Sequence, residues 1–396
     1  MKDKRIFIPC LLALCVAATV ITSCQSTGNP DRRVTSFETG TNGRMINYGE
    51  KQLTDLSEKL KRSNTETTHI IVIGDSHTAA DFLSGQLRSL YQRHYGNGGP
   101  GFISPMRVPG NRYSHVNYSK ARGWQLETSR KTKDPTFTLG GNIATPTSVN
   151  NSERITISDG ETELQARALY RSTGDAMLQL GGETVTLSGT QGRWTLSRAV
   201  PVADAFAVSM KGNGTQLAGF WLTSRHSGGV IVSALGINGA QISMLDKWAS
   251  DWPGTLSNLT PDLVILAFGT NEAFNISMSA EEYQQTLLRQ IRKIRQAVPD
   301  AAILLVGPGS SIMNKSASGC SARQSPVLKT IIEVQKKVAA SEHTLFWDWF
   351  AFMGGDCSIE RWADKGKARP DLVHLTSDGY QETASALWQD LEKTMQ

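Results

Sequence analysis

Three apolar runs break off at a glycine, two of them with small polar residues directly after it. They are Thr68-His69-Ile70-Ile71-Val72-Ile73-Gly74-Asp75-Ser76, Leu263-Val264-Ile265-Leu266-Ala267-Phe268-Gly269-Thr270-Asn271 and Ala302-Ile303-Leu304-Leu305-Val306-Gly307. A run without polar alternation suits a strand buried on both faces, the condition of parallel sheets covered by helices on either side. Helical patterns follow each run. Phe82, Leu83, Leu87, Leu90 and Tyr91 recur at helical spacing after the first. Tyr283, Leu287, Ile291, Ile294 and Val298 do so after the second, behind a Ser279–Glu282 capping box. Val327, Ile331, Val334 and Val338 do so after the third. Val230–Leu235 and Thr344–Trp347 read as further strands, and Thr376–Thr394 as a closing helix. Strands alternating with helices predict a doubly wound α/β domain with a parallel sheet.

Residues 106–228 break this rhythm. Short alternating runs such as Arg154–Ile157, Ala176–Leu180, Glu183–Leu187 and Ala205–Met210 are separated by Asp159-Gly160, Gly181-Gly182 and Gly212-Asn213-Gly214. Many short strands at such spacing predict a β-sandwich. The α/β domain is therefore read as discontinuous, residues 66–105 and 229–396, with a β-rich module inserted at 106–228. A polar helix is predicted around 49–62, inside a 24–65 stretch read as a tether and N-terminal segment.

The first residues read as an address. Lys2, Lys4 and Arg5 precede an apolar Ile6–Ile21, and small residues end in Ile21-Thr22-Ser23-Cys24. This is a secretory signal over residues 1–23. Its end resembles a bacterial lipobox, which makes Cys24 a lipidated first residue and the mature chain an exported lipoprotein, membrane-anchored and facing the periplasm or cell wall. A plain signal peptide or an uncleaved anchor is the alternative. Without residues 1–23 the formal charge falls from +5 to +3, and no run of like charges occurs, which argues against a nucleic-acid partner. Cys320 and Cys357 are then an even pair in an oxidising compartment, either bridged or two buried thiols. Neither a CxxC pair nor HExxH is present, so neither a metal nor a cofactor is predicted.

Small polar motifs stand where each predicted strand ends, the edge at which doubly wound sheets collect their reactive groups. Gly74-Asp75-Ser76 follows the first strand, Gly236-Ile237-Asn238-Gly239 the second and Gly269-Thr270-Asn271-Glu272 the third. Asp371-Leu372-Val373-His374 precedes the last helix. A serine nucleophile needs a histidine to take its proton, a carboxylate to orient that histidine, and donors for the oxyanion. Ser76, His374 and Asp371 supply the first set. The backbone N–H groups of Ser76 and Gly239 and the Asn271 side chain supply the second. The GxSxG pattern of another hydrolase class is absent around Ser76.

In this order the motifs resemble the SGNH (GDSL) hydrolases. The resemblance covers both segments of the α/β domain and implies a flavodoxin-like sheet. It assigns Ser76 as nucleophile, Gly239 and Asn271 as oxyanion-hole residues, His374 as base and Asp371 as the triad acid. The stretches GDSHTAADF, GNGGPGF, LGINGAQ and LAFGTNEAFN are similar to the bacterial peptidoglycan O-acetylesterases of that superfamily. That likeness implies an O-acetylesterase acting on muramyl residues, and an inserted module akin to a carbohydrate-binding module. Other readings are an esterase for another acetylated polysaccharide or a lipid, acetyl transfer in the reverse direction, and a non-catalytic wall-binding lipoprotein. Asp75 reads as a helix cap. His77 reads as a bystander or a substrate contact, and Glu272 as a loop acid or an orienter of Asn271. Trp347, Trp349 and Trp362, like Trp124, Trp194 and Trp221 in the module, read as core or as sugar platforms.

Overall fold

The computed structural model describes residues 45–132, 136–160 and 163–396. The expected signal peptide and Cys24 lie outside these residues. The central sheet has six strands: β1 (Met45–Asn47), β2 (Thr68–Gly74), β3 (Val230–Gly236), β4 (Leu263–Ala267), β5 (Ala302–Val306) and β6 (Leu345–Trp347). Their spatial order is β1-β6-β5-β4-β2-β3. Strands β2 to β6 are parallel, in the flavodoxin-like order that places a crevice between the first and third of them.

The unbroken apolar runs explain the layering. Ile71, Ile73, Val264, Leu266, Ile303 and Leu305 face one side, and Ile70, Val72, Leu263, Ile265 and Leu304 the other. Helices Ala280–Ala297 and Leu328–Ser341 cover the first face, and Leu53–Lys61, Leu83–Tyr95 and Ser377–Thr394 the second. Each wholly buried branched side chain contributes about 1.5–3 kcal/mol relative to exposure. No described helix is long and apolar enough to cross a membrane.

The inserted residues form two antiparallel sheets around a separate core. One has five strands. The other has seven and includes Leu164–Ser172 and Thr215–Ser224. Two boundaries differ from the sequence reading. β1 and helix Leu53–Lys61 extend the α/β layers into the 24–65 segment, with Met45 paired to Trp347 and Leu53, Leu56 and Leu60 buried. A three-residue edge strand is too short to show a period. Gly101–Ile103, which the sequence reading places in the α/β segment, pairs with Phe220–Leu222 of the module. Left-handed Gly99 and Gly101, at φ +108 and +81, turn the chain across. Cys320 and Cys357 are joined by a disulfide.

Candidate active site

Register decides which loops meet. Gly74 lies level with Gly236 of β3 and Ala267 of β4, so the segments after these strands open at one edge. After Gly74 the chain turns directly into the short helix Ser76–Ala79. Asp75 caps it, its Oδ1 accepting the His77 N–H at 2.9 Å. Gly236 lies beneath, where a Cβ would collide with the backbone of Thr78 and Ala79. The helix therefore sits flush on the sheet, with Ser76 at the rim.

Ser76 Oγ is 2.9 Å from His374 Nε2, and His374 Nδ1 is 3.0 Å from Asp371 Oδ2. Asp371 and His374 come from one turn. Leu372 takes left-handed backbone, φ +59, and the Asp371 Oδ1 accepts the N–H groups of Val373 and His374 at 2.9 and 2.8 Å. Partial burial pushes the Asp371 carboxyl up, but those two N–H groups and the imidazole outweigh it and hold it below the usual carboxylate range. An ionised Asp371 makes Nδ1 the protonated nitrogen, leaving Nε2 to accept from the serine hydroxyl.

The other two segments adjoin. Gly239 has φ +73 and open space where a side chain would stand. Asn271 lies in the helix Thr270–Phe274, after Gly269. Its Nδ2 donates to Ala240 O at 2.9 Å and reaches Asp75 Oδ2 at 3.4 Å, linking all three loops.

Residues 188–382 match the family model described as GDSL-like Lipase/Acylhydrolase family, and residues 98–202 match Peptidoglycan O-acetylesterase, N-terminal. A solved structure described as "Peptidoglycan O-acetylesterase in action, 5 min" superposes with a TM-score of 0.81 at 32% identity, over 89% of this chain and 99% of that one. The chain belongs to the peptidoglycan O-acetylesterase family. A Drosophila melanogaster "Platelet-activating factor acetylhydrolase IB subunit beta homolog" is 44% identical over 52 residues, 13% of this chain and 22% of that protein. The chain thus spans about a fifth of that curated relative. Ser76 precedes both matched ranges in this O-acetylesterase family member, because the inserted module separates its first strand from the rest.

All five residues singled out for chemistry stand at the sheet's carboxyl edge. Three others are clearer in three dimensions than in the sequence. Glu272 is wholly buried. Its carboxylate accepts the N–H of Ile242 at 2.7 Å and of Gly269 at 2.9 Å, tying the segment after Gly239 to the one carrying Asn271. Burial raises it to about 7 against the pull of those N–H groups, and burial likewise raises Asp75 to about 8. His77 is buried, with Nδ1 2.8 Å from the Tyr380 hydroxyl and its ring centroid 5.3 Å from that of His374. Burial lowers its pKa to about 3, so it presents a neutral wall to the His374 ring. Trp347, Trp349 and Trp362 are core residues.

The module reaches this edge too. Asn111 accepts from Asn238 Nδ2 at 2.7 Å, and the Arg112 N–H donates to Ala79 O at 3.0 Å. A cleft of about 330 Å³ opens beside Gly236–Asn238, walled by Gln125–Thr128 of the module.

Proposed function

We propose that this protein removes O-acetyl groups from the muramyl residues of peptidoglycan through an acyl-enzyme on Ser76. The observation that carries the reading is the chain of hydrogen bonds Ser76–His374–Asp371 at the sheet's rim, in a member of this family. Ser76 Oγ attacks the acetyl carbonyl carbon while its proton passes to His374 Nε2. Asp371 balances the imidazolium. The oxyanion takes hydrogen bonds from the N–H groups of Ser76 and Gly239 and from the Asn271 amide. As the tetrahedral species collapses, His374 returns the proton to the departing sugar oxygen. Water, deprotonated by His374, then attacks the acetyl-serine carbonyl, and His374 returns that proton to the departing Ser76 Oγ as acetate is freed. The secretory address and Cys24 support an exported enzyme tethered by lipid beside its substrate, and Cys24→Ala is expected to shift it from the membrane to the soluble fraction.

The test is acetate release from native against base-deacetylated wall. Native wall yields acetate and treated wall does not. Ser76→Ala lowers kcat at least about 10⁴-fold, as expected when a triad nucleophile is removed. Equal turnover of acetylated xylan or long-chain esters by the wild type would overturn the substrate, and an active Ser76→Ala would overturn the nucleophile.

A further inference from the structure

At the opposite end of β2 the hydrolase sheet and the module enclose a second cleft, of about 540 Å³. Its wall is a ladder on the seven-stranded sheet. Arg167 stands opposite Trp221, and Gln165 opposite Thr223. The residues between them, Ala166 and Leu222, turn to the other face and are wholly buried, as a period of two requires. The four ladder side chains are half-buried and line the cleft.

The ladder side chains are held in place. His69, at the start of β2, packs its ring 4.4 Å from that of Trp221. His69 is itself fixed, with Nδ1 2.9 Å from Leu259 O and Nε2 3.0 Å from Ser233 Oγ, and burial keeps it neutral. The indole N–H of Trp221 has no acceptor among the described residues. Arg167 Nε donates to Ser197 O at 2.8 Å, and its two terminal nitrogens have no described partner. Arg225 also lines the cleft. At the rim, the carboxylate of Glu163 lies 3.8 Å from His226 Nε2. An indole offers an apolar face for the C–H groups of a pyranose. A guanidinium with free N–H groups offers a planar clamp for a carboxylate.

We propose that this cleft is a second, non-catalytic binding site for a sugar chain bearing carboxylates, an inference that rests on peptidoglycan being the substrate. The seven residues of β2, at about 3.3 Å each, put it roughly 20 Å from Ser76. A chain held there does not enter the reaction site. It raises the effective concentration of neighbouring wall at the catalytic edge.

The experiment compares full-length protein with Trp221→Ala, Arg167→Ala and Arg167→Glu. Each is co-sedimented with insoluble base-deacetylated peptidoglycan, and with the same wall after its carboxylates are amidated. Loss of a stacked indole or a guanidinium clamp is expected to weaken sedimentation about tenfold. Turnover of a small soluble acetyl ester stays as in wild type, whereas KM for acetylated wall rises without a change in kcat. Wild type is expected to bind amidated wall more weakly than untreated wall. Should Trp221→Ala fail to fold, Trp221→Phe with Arg167→Glu decides the same question. Unchanged sedimentation of the folded variants, or equal binding to amidated wall, overturns the site. Deacetylated wall keeps this result separate from the catalytic reading, which falls only if acetylated wall releases no acetate.

Discussion

Leu372 sits in left-handed backbone, φ +59, a conformation with a steric cost for a branched side chain. The strain has a visible use. It folds the Asp371 carboxylate back onto the ring of His374, three residues on, so that one short turn supplies both the imidazole and its carboxylate partner. The DxxH spacing is too local to be decisive when read along the chain, and the turn explains how the two side chains meet. Asp371→Asn keeps the shape but offers Nδ1 an amide N–H in place of a carboxylate. The expected loss in kcat is about 10³-fold or more with KM little changed, measured on a soluble acetyl ester. Glu272 makes a different prediction. Its pKa rises from 4.5 in the open chain to about 7 on burial, so the folded state holds its proton more tightly than the unfolded one. Stability from this group is complete at acid pH and falls as pH climbs from about 4.5 to about 7, by on the order of 3 kcal/mol. Asp75, raised to about 8, acts with the same sign. Urea melts between pH 5 and 8 should slope downward for wild type and less steeply for Glu272→Gln.

At the scale of elements, the helix Ser76–Ala79 is a single turn that owes its position to contact. It rests on Gly236 of the neighbouring strand, where any Cβ would meet backbone that has no room to yield. Gly236→Ala is expected to cost about 2 kcal/mol or more, because overpacking against backbone cannot relax through a rotamer. It should also lower kcat by lifting Ser76 away from His374. A stability loss with kcat intact would show that the helix moves without disturbing the pair. The strand ends were legible in the sequence because an apolar run stopping at glycine is a local signal. The contact between Gly236 and the helix was not, since it joins residues about 160 positions apart.

Across the molecule, the two parts of the chain are not separable. Phe102, Phe137, Leu139, Leu169 and Trp194 lie in one core with Leu235, Leu256 and Leu266 of the hydrolase layers. Asp81 adds a buried polar clamp, accepting from Arg88 Nη2 at 3.2 Å and from the backbone and hydroxyl of Ser114 at 2.8 and 2.7 Å. Full-length protein is therefore expected to unfold in one transition, with fluorescence and far-UV signals coincident. Residues 106–228 expressed alone would expose the shared core and should not give a cooperative melt. Two resolved transitions would contradict the shared core.

The sequence by itself determined the layered α/β class, the interruption by short strands, and the order of the serine, glycine and asparagine motifs at strand ends and of the aspartate–histidine motif before the last helix. Those signals are periods and punctuation, and they are carried by neighbours in the chain. Only the tertiary structure decided that Met45–Asn47 closes the sheet edge, that Gly101–Ile103 joins the module, and that Glu272 is buried between two loops. It alone also decided that Trp221 and Arg167 share a cleft with His69. Burial, shifted protonation and cleft walls depend on which distant segments pack together, and no local pattern encodes that.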